Sequence, residues 1–121
     1  MWVQRLLVQS FNPPAENHLK KWDLSFNLQG FFRLKLFYPS GKQEYYAFHV
    51  SRFKNLEYQG TDSAGNIIFE TLQDDIINQT YNDPIGNIDS MSTILRLPVS
   101  HLEVKQIDSL RAILQNLSNK K

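Results

Sequence analysis

The chain has 121 residues, 41% hydrophobic and 21% charged, with a formal net charge of +1. That is the mixture of a single globular domain spanning 1–121, long enough to bury roughly two-thirds of its unfolded surface, and it excludes an intrinsically disordered chain. With no cysteine, it also excludes disulfides, zinc–thiolate sites and a cysteine nucleophile.

Met1 to Ser10 lacks the basic start, long apolar run and small-residue cleavage site of a signal peptide. No apolar stretch approaches the ~20 residues that span a bilayer, so a soluble cytoplasmic protein with no membrane span is expected. Trp2 to Phe11 is apolar and β-compatible, which predicts a first strand stopped by Asn12-Pro13-Pro14. Ala15 to Asp23 is polar and basic, a short helical turn or a surface connection.

The clearest signal runs from Leu24 to Tyr38. Leu24, Phe26, Leu28, Phe32, Leu34, Leu36 and Tyr38 share one parity, while Ser25, Asn27, Gln29, Arg33 and Lys35 take the other. A period of two marks a strand with one face in a core, and Gly30 predicts a bulge or bend within it. Tyr38-Pro39-Ser40-Gly41 is turn chemistry, placing Tyr38 opposite Lys42, Leu34 opposite Tyr46 and Phe32 opposite Phe48. Tyr46, Phe48 and Val50 then bury the same face, and a slip by one residue would expose half of it.

Phe53 to Gln59 predicts another strand, using Phe53, Leu56 and Tyr58. Gly60 to Gly65 is a turn, followed by strands over Asn66–Leu72, Ile76–Tyr81 and Met91–Val99, with a loop at 82–87. Ser100-His101-Leu102-Glu103 fits a capping box. Ile107, Leu110, Leu114 and Leu117 follow as one apolar stripe, a C-terminal helix packed on its own sheet.

Together these predict a mainly β (α+β) fold, a small strongly curved antiparallel sheet or barrel of about seven strands with one C-terminal α-helix. Seven strands followed by a capped helix is similar in count and order to a pleckstrin-homology-like barrel. The resemblance is architectural and carries no motif, so it implies no phosphoinositide binding. The alternative is an α+β sheet with the helix on one face.

No catalytic, metal or cofactor site is predicted. His18, His49 and His101 lack metal-ligand spacing, and each suits a surface or loop position. Asp74-Asp75 and the Asp83–Asp89 loop lack the alternating ligands of a calcium loop and suit turns. No phosphate loop or nucleophile elbow occurs.

Charge is uneven along the chain. Lys20 to Lys54 holds seven basic residues against Asp23 and Glu44, while Glu57 to Asp108 holds nine acidic residues against Arg96 and Lys105. Such asymmetry steers a partner, is solvated surface, or marks two halves of one fold that attract each other. The candidate partner-binding face is the outer face of the hairpin, Phe31, Arg33, Lys35 and Phe37 with Tyr45 and His49. Another segment of the chain covers it, or it meets a protein, or it stacks single-stranded nucleic acid. Near-neutral charge and the lack of a nucleic-acid motif place nucleic acid last. The expected function is a non-enzymatic protein-interaction module or small assembly subunit. Single-stranded nucleic-acid binding is the alternative, and a small enzyme using the 74–89 carboxylates the second alternative.

Overall fold

The alternation between residues 24 and 50 zips into an antiparallel ladder. The computed structural model describes residues 2–15 and 18–119. In it β2 (Phe31–Phe37) pairs with β3 (Gln43–His49), Leu34 opposite Tyr46 and Phe32 opposite Phe48. The Tyr38 amide donates to the Lys42 carbonyl at 3.0 Å, and Gly41 closes the turn at φ +94°. Below it Phe32 stacks on Phe48 at 5.2 Å, and both rings meet Phe69 at 5.5 Å.

The stretch from Leu24 to Tyr38 is two strands joined by a turn, not one strand with a bulge or bend. β1 (Lys21–Phe26) turns at Asn27–Gly30 and pairs back onto β2, with Leu24 opposite Leu34 and Phe26 opposite Phe32. Gly30, at φ +89°, donates its amide to the Asn27 carbonyl at 3.0 Å. An even number of positions separates Phe26 from Phe32, so the alternation passes through the turn unbroken and conceals it. Leu28, expected in the core, sits at the tip and is 85% exposed.

β4 (Phe53–Gly60), β5 (Ala64–Thr71) and β6 (Ile76–Tyr81) follow as expected. The expected Met91–Val99 strand divides at Thr93 into β7 (Asp89–Ser92) and β8 (Ile94–Ser100). Among the described residues eight strands form two antiparallel sheets, β1-β2-β3-β6-β7 and β4-β5-β8. Neither sheet closes, which corrects the barrel form of the expectation. The fold is mainly β, with the buried faces of both sheets sharing one core.

The chain changes sheets three times: at a 3-10 turn over Val50–Arg52, at Leu72–Asp75, and at Thr93. These crossings meet at one corner. The Leu72 amide donates to Arg52 O and the Thr71 amide to Thr93 O, both at 2.9 Å. The buried Thr71 hydroxyl donates to Gln73 O at 2.7 Å, and the Thr93 hydroxyl to Asp74 Oδ1 at 2.7 Å. Arg52 Nε lies 2.9 Å from Asp75 Oδ1.

Trp2–Ser10 is a helix, α1, not the strand that its apolar content predicts. Val3, Leu6, Leu7 and Ser10 are its buried residues, a stripe at three- and four-residue spacing. Short apolar runs fit either period, and tertiary packing selects the helix here. Gln4 Oε1 accepts the Phe26 amide at 3.1 Å, on the outer edge of β1. Phe11 then bridges to Val99, and Asn12 donates to Pro98 O at 2.9 Å.

The C-terminal helix α2 (Val104–Ser118) buries Ile107, Leu110 and Leu114, and Arg111 Nε donates to Leu56 O of β4 at 2.9 Å. Its cap lies three residues beyond the expected Ser100. Ser100 is still in β8, opposite Ala64, and His101 at φ +54° turns the chain. Glu103 becomes the cap, its amide donating to Gln106 Oε1 at 2.9 Å. No helix among the described residues is long and apolar enough to cross a membrane.

A Cβ on Gly30 would stand 2.6 Å from Val50 Cγ1, whereas one on Gly41 meets nothing within 4 Å. Gly30→Ala therefore combines left-handed strain with overpacking and should cost about 2–3 kcal/mol. Gly41→Ala carries only the backbone cost of about 1 kcal/mol. Thr71→Val, which keeps the shape and loses the buried hydroxyl, should cost about 1–3 kcal/mol. Urea midpoints at constant m-value check all three, and a Gly30→Ala midpoint equal to that of Gly41→Ala would contradict the steric argument.

Candidate functional site

The alternate side chains of β1, β2, β3, β6 and β7 form a face turned away from the core. Registers place Ser25, Arg33, Ala47, Ile77 and Met91 in one row across it, and Asp23, Lys35, Tyr45, Gln79 and Asp89 in the next. Lys21, Phe37, Gln43 and Tyr81 make a third row, and Phe31 stands opposite His49 at the other end. All six predicted residues lie on this one face. Phe31, Arg33 and Lys35 are exposed, and Phe37, Tyr45 and His49 are half-buried. The face is therefore open, with Phe31 at 38%, Tyr81 at 45% and Met91 at 49% exposure.

Its polar chemistry is local. The Arg33 guanidinium sits 4.8 Å from the Phe31 ring centre, Lys21 Nζ 4.7 Å from Phe37 and Lys35 Nζ 5.7 Å from Tyr45. The His49 ring meets Phe31 edge-on at 4.6 Å. His49 Nδ1 accepts the Ser51 amide at 3.1 Å, so Nε2 carries the proton and donates to Gln29 O at 2.7 Å. That pairing ties the 3-10 turn to the β1–β2 turn and engages both ring nitrogens. Arg33, Lys35, Gln43, Glu44, Tyr45 and Tyr81 line an open groove of about 520 Å³.

The acidic candidates are dispersed. Asp74 and Asp75 belong to the sheet-crossing corner. Asp83 accepts the Ile85 amide at 2.9 Å and lies 3.6 Å from Lys42, while Asp89 accepts from Gln79 at 3.2 Å. His18 and His101 are exposed, each at positive φ. Among the described residues no three His, Asp or Glu side chains gather as a metal site.

A second concavity was missed by sequence reasoning. Leu34, Leu36, Glu44, Tyr46 and Asn78 of the larger sheet face Phe11, Pro13, Pro14 and β8 residues across a cleft of about 470 Å³. Glu44 lies on the parity of Tyr46, Phe48 and Val50, and a lone carboxylate on a core-facing parity was the available signal. It accepts the Tyr38 hydroxyl proton. Burial first, then the charge of the neighbouring Glu44, pushes the Tyr46 phenol up to about 12; burial, then the hydrogen bond to Glu44 and its charge, and last Tyr46, raise Tyr38 further.

No protein family, curated protein or solved structure matches this chain. The class is set by its own geometry: an open two-sheet β fold flanked by two helices, with an uncovered aromatic–basic face.

A folded-state pKa above that of the unfolded chain means that Tyr46 supports the fold fully below about pH 10. That contribution is lost as pH rises from about 10 to about 12. Tyr46→Phe should flatten the alkaline fall in stability. Urea midpoints between pH 9 and about 12 would show it, and parallel wild-type and variant curves would contradict it.

Proposed function

We propose that this protein is a non-enzymatic interaction module, an adaptor or small assembly subunit of the cytoplasm. It meets a protein partner through the open face of the five-stranded sheet. The observation that supports it is the exposed Phe31–Arg33 stack, flanked by Tyr45, Met91 and Tyr81 on an uncovered surface. Aromatic residues, Met and Arg are the types enriched where proteins meet, and Lys35 and Lys21 favour an acidic partner. A chain without cysteine suits a reducing compartment.

Single-stranded nucleic acid is the second reading, favoured by the same aromatic and basic residues. It ranks lower because Phe31, Phe37 and Tyr45 each already carry one of the chain's own cations on the ring. That leaves less open surface for a base.

Phe31→Ser and Arg33→Glu test the proposal. A partner isolated by cross-linking to the wild-type protein should bind each variant at least about tenfold more weakly, the size of one interface anchor. Circular dichroism should stay unchanged. Undiminished affinity of the double variant would overturn the reading. Oligothymidylate binding that falls steeply with salt would transfer the face to nucleic acid.

A further inference from the structure

We propose that the cleft between the two sheets binds a small amphipathic organic cation, an alkyl- or arylammonium, with its charged end on Glu44. The cleft lies between the sheets and shares only Glu44 with the lining of the outer groove, and the inference does not depend on the function proposed for that face.

Three observations carry it. The volume, about 470 Å³, lies within the range of small-molecule sites, roughly 300–1,000 Å³. Its walls are mostly apolar: Phe11, Pro13, Leu34, Leu36, Leu95 and Pro98. Such walls suit a hydrocarbon or ring and cannot orient it. Orientation comes from the few polar groups, Glu44, Tyr46, Asn66, Asn78 and Arg96, of which Glu44 alone carries negative charge.

Glu44 Oε1 takes the Tyr38 hydroxyl, while among the described residues the nearest cation to Oε2 is Lys42 Nζ at 4.0 Å, at the limit of an ion pair and beyond hydrogen-bond reach. Lys42 is shared with Asp83, which it approaches more closely, at 3.6 Å. The Asn78 amide nitrogen donates to Ser92 Oγ at 2.9 Å, which leaves its oxygen as an acceptor. Arg96, the other charged lining residue, is exposed and donates to Gln59 at 3.4 Å.

A carboxylate and an amide oxygen in an apolar cleft select a ligand with several donors and positive charge. An ammonium has three donors and no acceptor. The Tyr46 ring beside Glu44 adds a face that attracts cations. An anion of the same shape would meet Glu44 with like charge, and a neutral alcohol would gain only the apolar contact.

Hexylammonium, hexan-1-ol and hexanoate, matched in length, separate these cases. Each is titrated into the protein at neutral pH, followed by amide chemical shifts in nuclear magnetic resonance. Hexylammonium should move the Leu36, Glu44, Asn78 and Leu95 amides and bind at least about fivefold more tightly than hexan-1-ol. Hexanoate should leave those signals in place.

Glu44→Gln should remove the preference for hexylammonium while leaving the weak binding of hexan-1-ol. If Glu44→Gln fails to fold, Ile94→Lys at the exposed rim serves, setting a competing ammonium beside the cleft without touching Glu44. It should weaken hexylammonium at least about fivefold. Equal binding of the amine and the alcohol, preference for hexanoate, shifts confined to other surfaces, or no response would each overturn the assignment.

Discussion

Three strand-to-strand crossings converge on one corner, and the arrangement of both sheets depends on how their polar groups are satisfied there. Backbone groups leaving one sheet have lost their ladder partners before joining the next. Inside a protein an unpaired amide or carbonyl costs about 1–3 kcal/mol. The Thr71, Leu72 and Thr93 pairings remove that cost, and the fully buried Thr71 hydroxyl completes the set. The Arg52–Asp75 pair is partly exposed and worth at most about 1 kcal/mol. The hydrogen bonds therefore fix the corner, and the ion pair orients its rim. Asp74 and Asp75, adjacent in sequence and suggestive of chemistry, are explained by this structural role.

The uneven charge of the chain resolves in the same way. Lys42–Asp83, Arg52–Asp75 and Lys54–Glu70 each join the basic half to the acidic half. Much of the asymmetry is thus internal attraction between parts of one fold. Lys21, Arg33 and Lys35 lie instead over aromatic rings on the open sheet. Each such contact contributes about 0.5–1 kcal/mol at an exposed site, enough to hold a flexible side chain against its ring. The surface offered to a partner is therefore partly ordered before contact, which lowers the entropy lost on docking.

Sequence patterning made the β2–β3 register legible because hydrophobic parity and the Pro39–Gly41 turn agree on one answer. It did not reveal the β1–β2 turn, since parity survives an even-length turn and only Gly30 marked the place. It misassigned α1 because Trp2–Ser10 fits both periods, and the choice rests on what lies beneath Val3, Leu6 and Leu7. The division at Thr93 carries no Gly or Pro, so nothing local announces that β7 and β8 belong to different sheets. All six residues of the proposed face followed from parity alone. The Glu44 cleft did not, because its walls come from strands whose juxtaposition depends on the sheet crossings.

Two open sheets have outer strands whose backbone groups could join another chain, and the terminal segments reach over three of them. Gln4 of α1 takes the Phe26 amide, Arg111 of α2 binds the Leu56 carbonyl, and the Phe11–Asn12 connection lies along β8 at Val99 and Pro98. The helices thus act as guards against polymerisation as well as packing partners. Trimming either terminus by proteolysis would strip core residues such as Leu7 or Leu110 and bare a hydrogen-bonding margin together, so loss of the fold and sheet-edge association are linked.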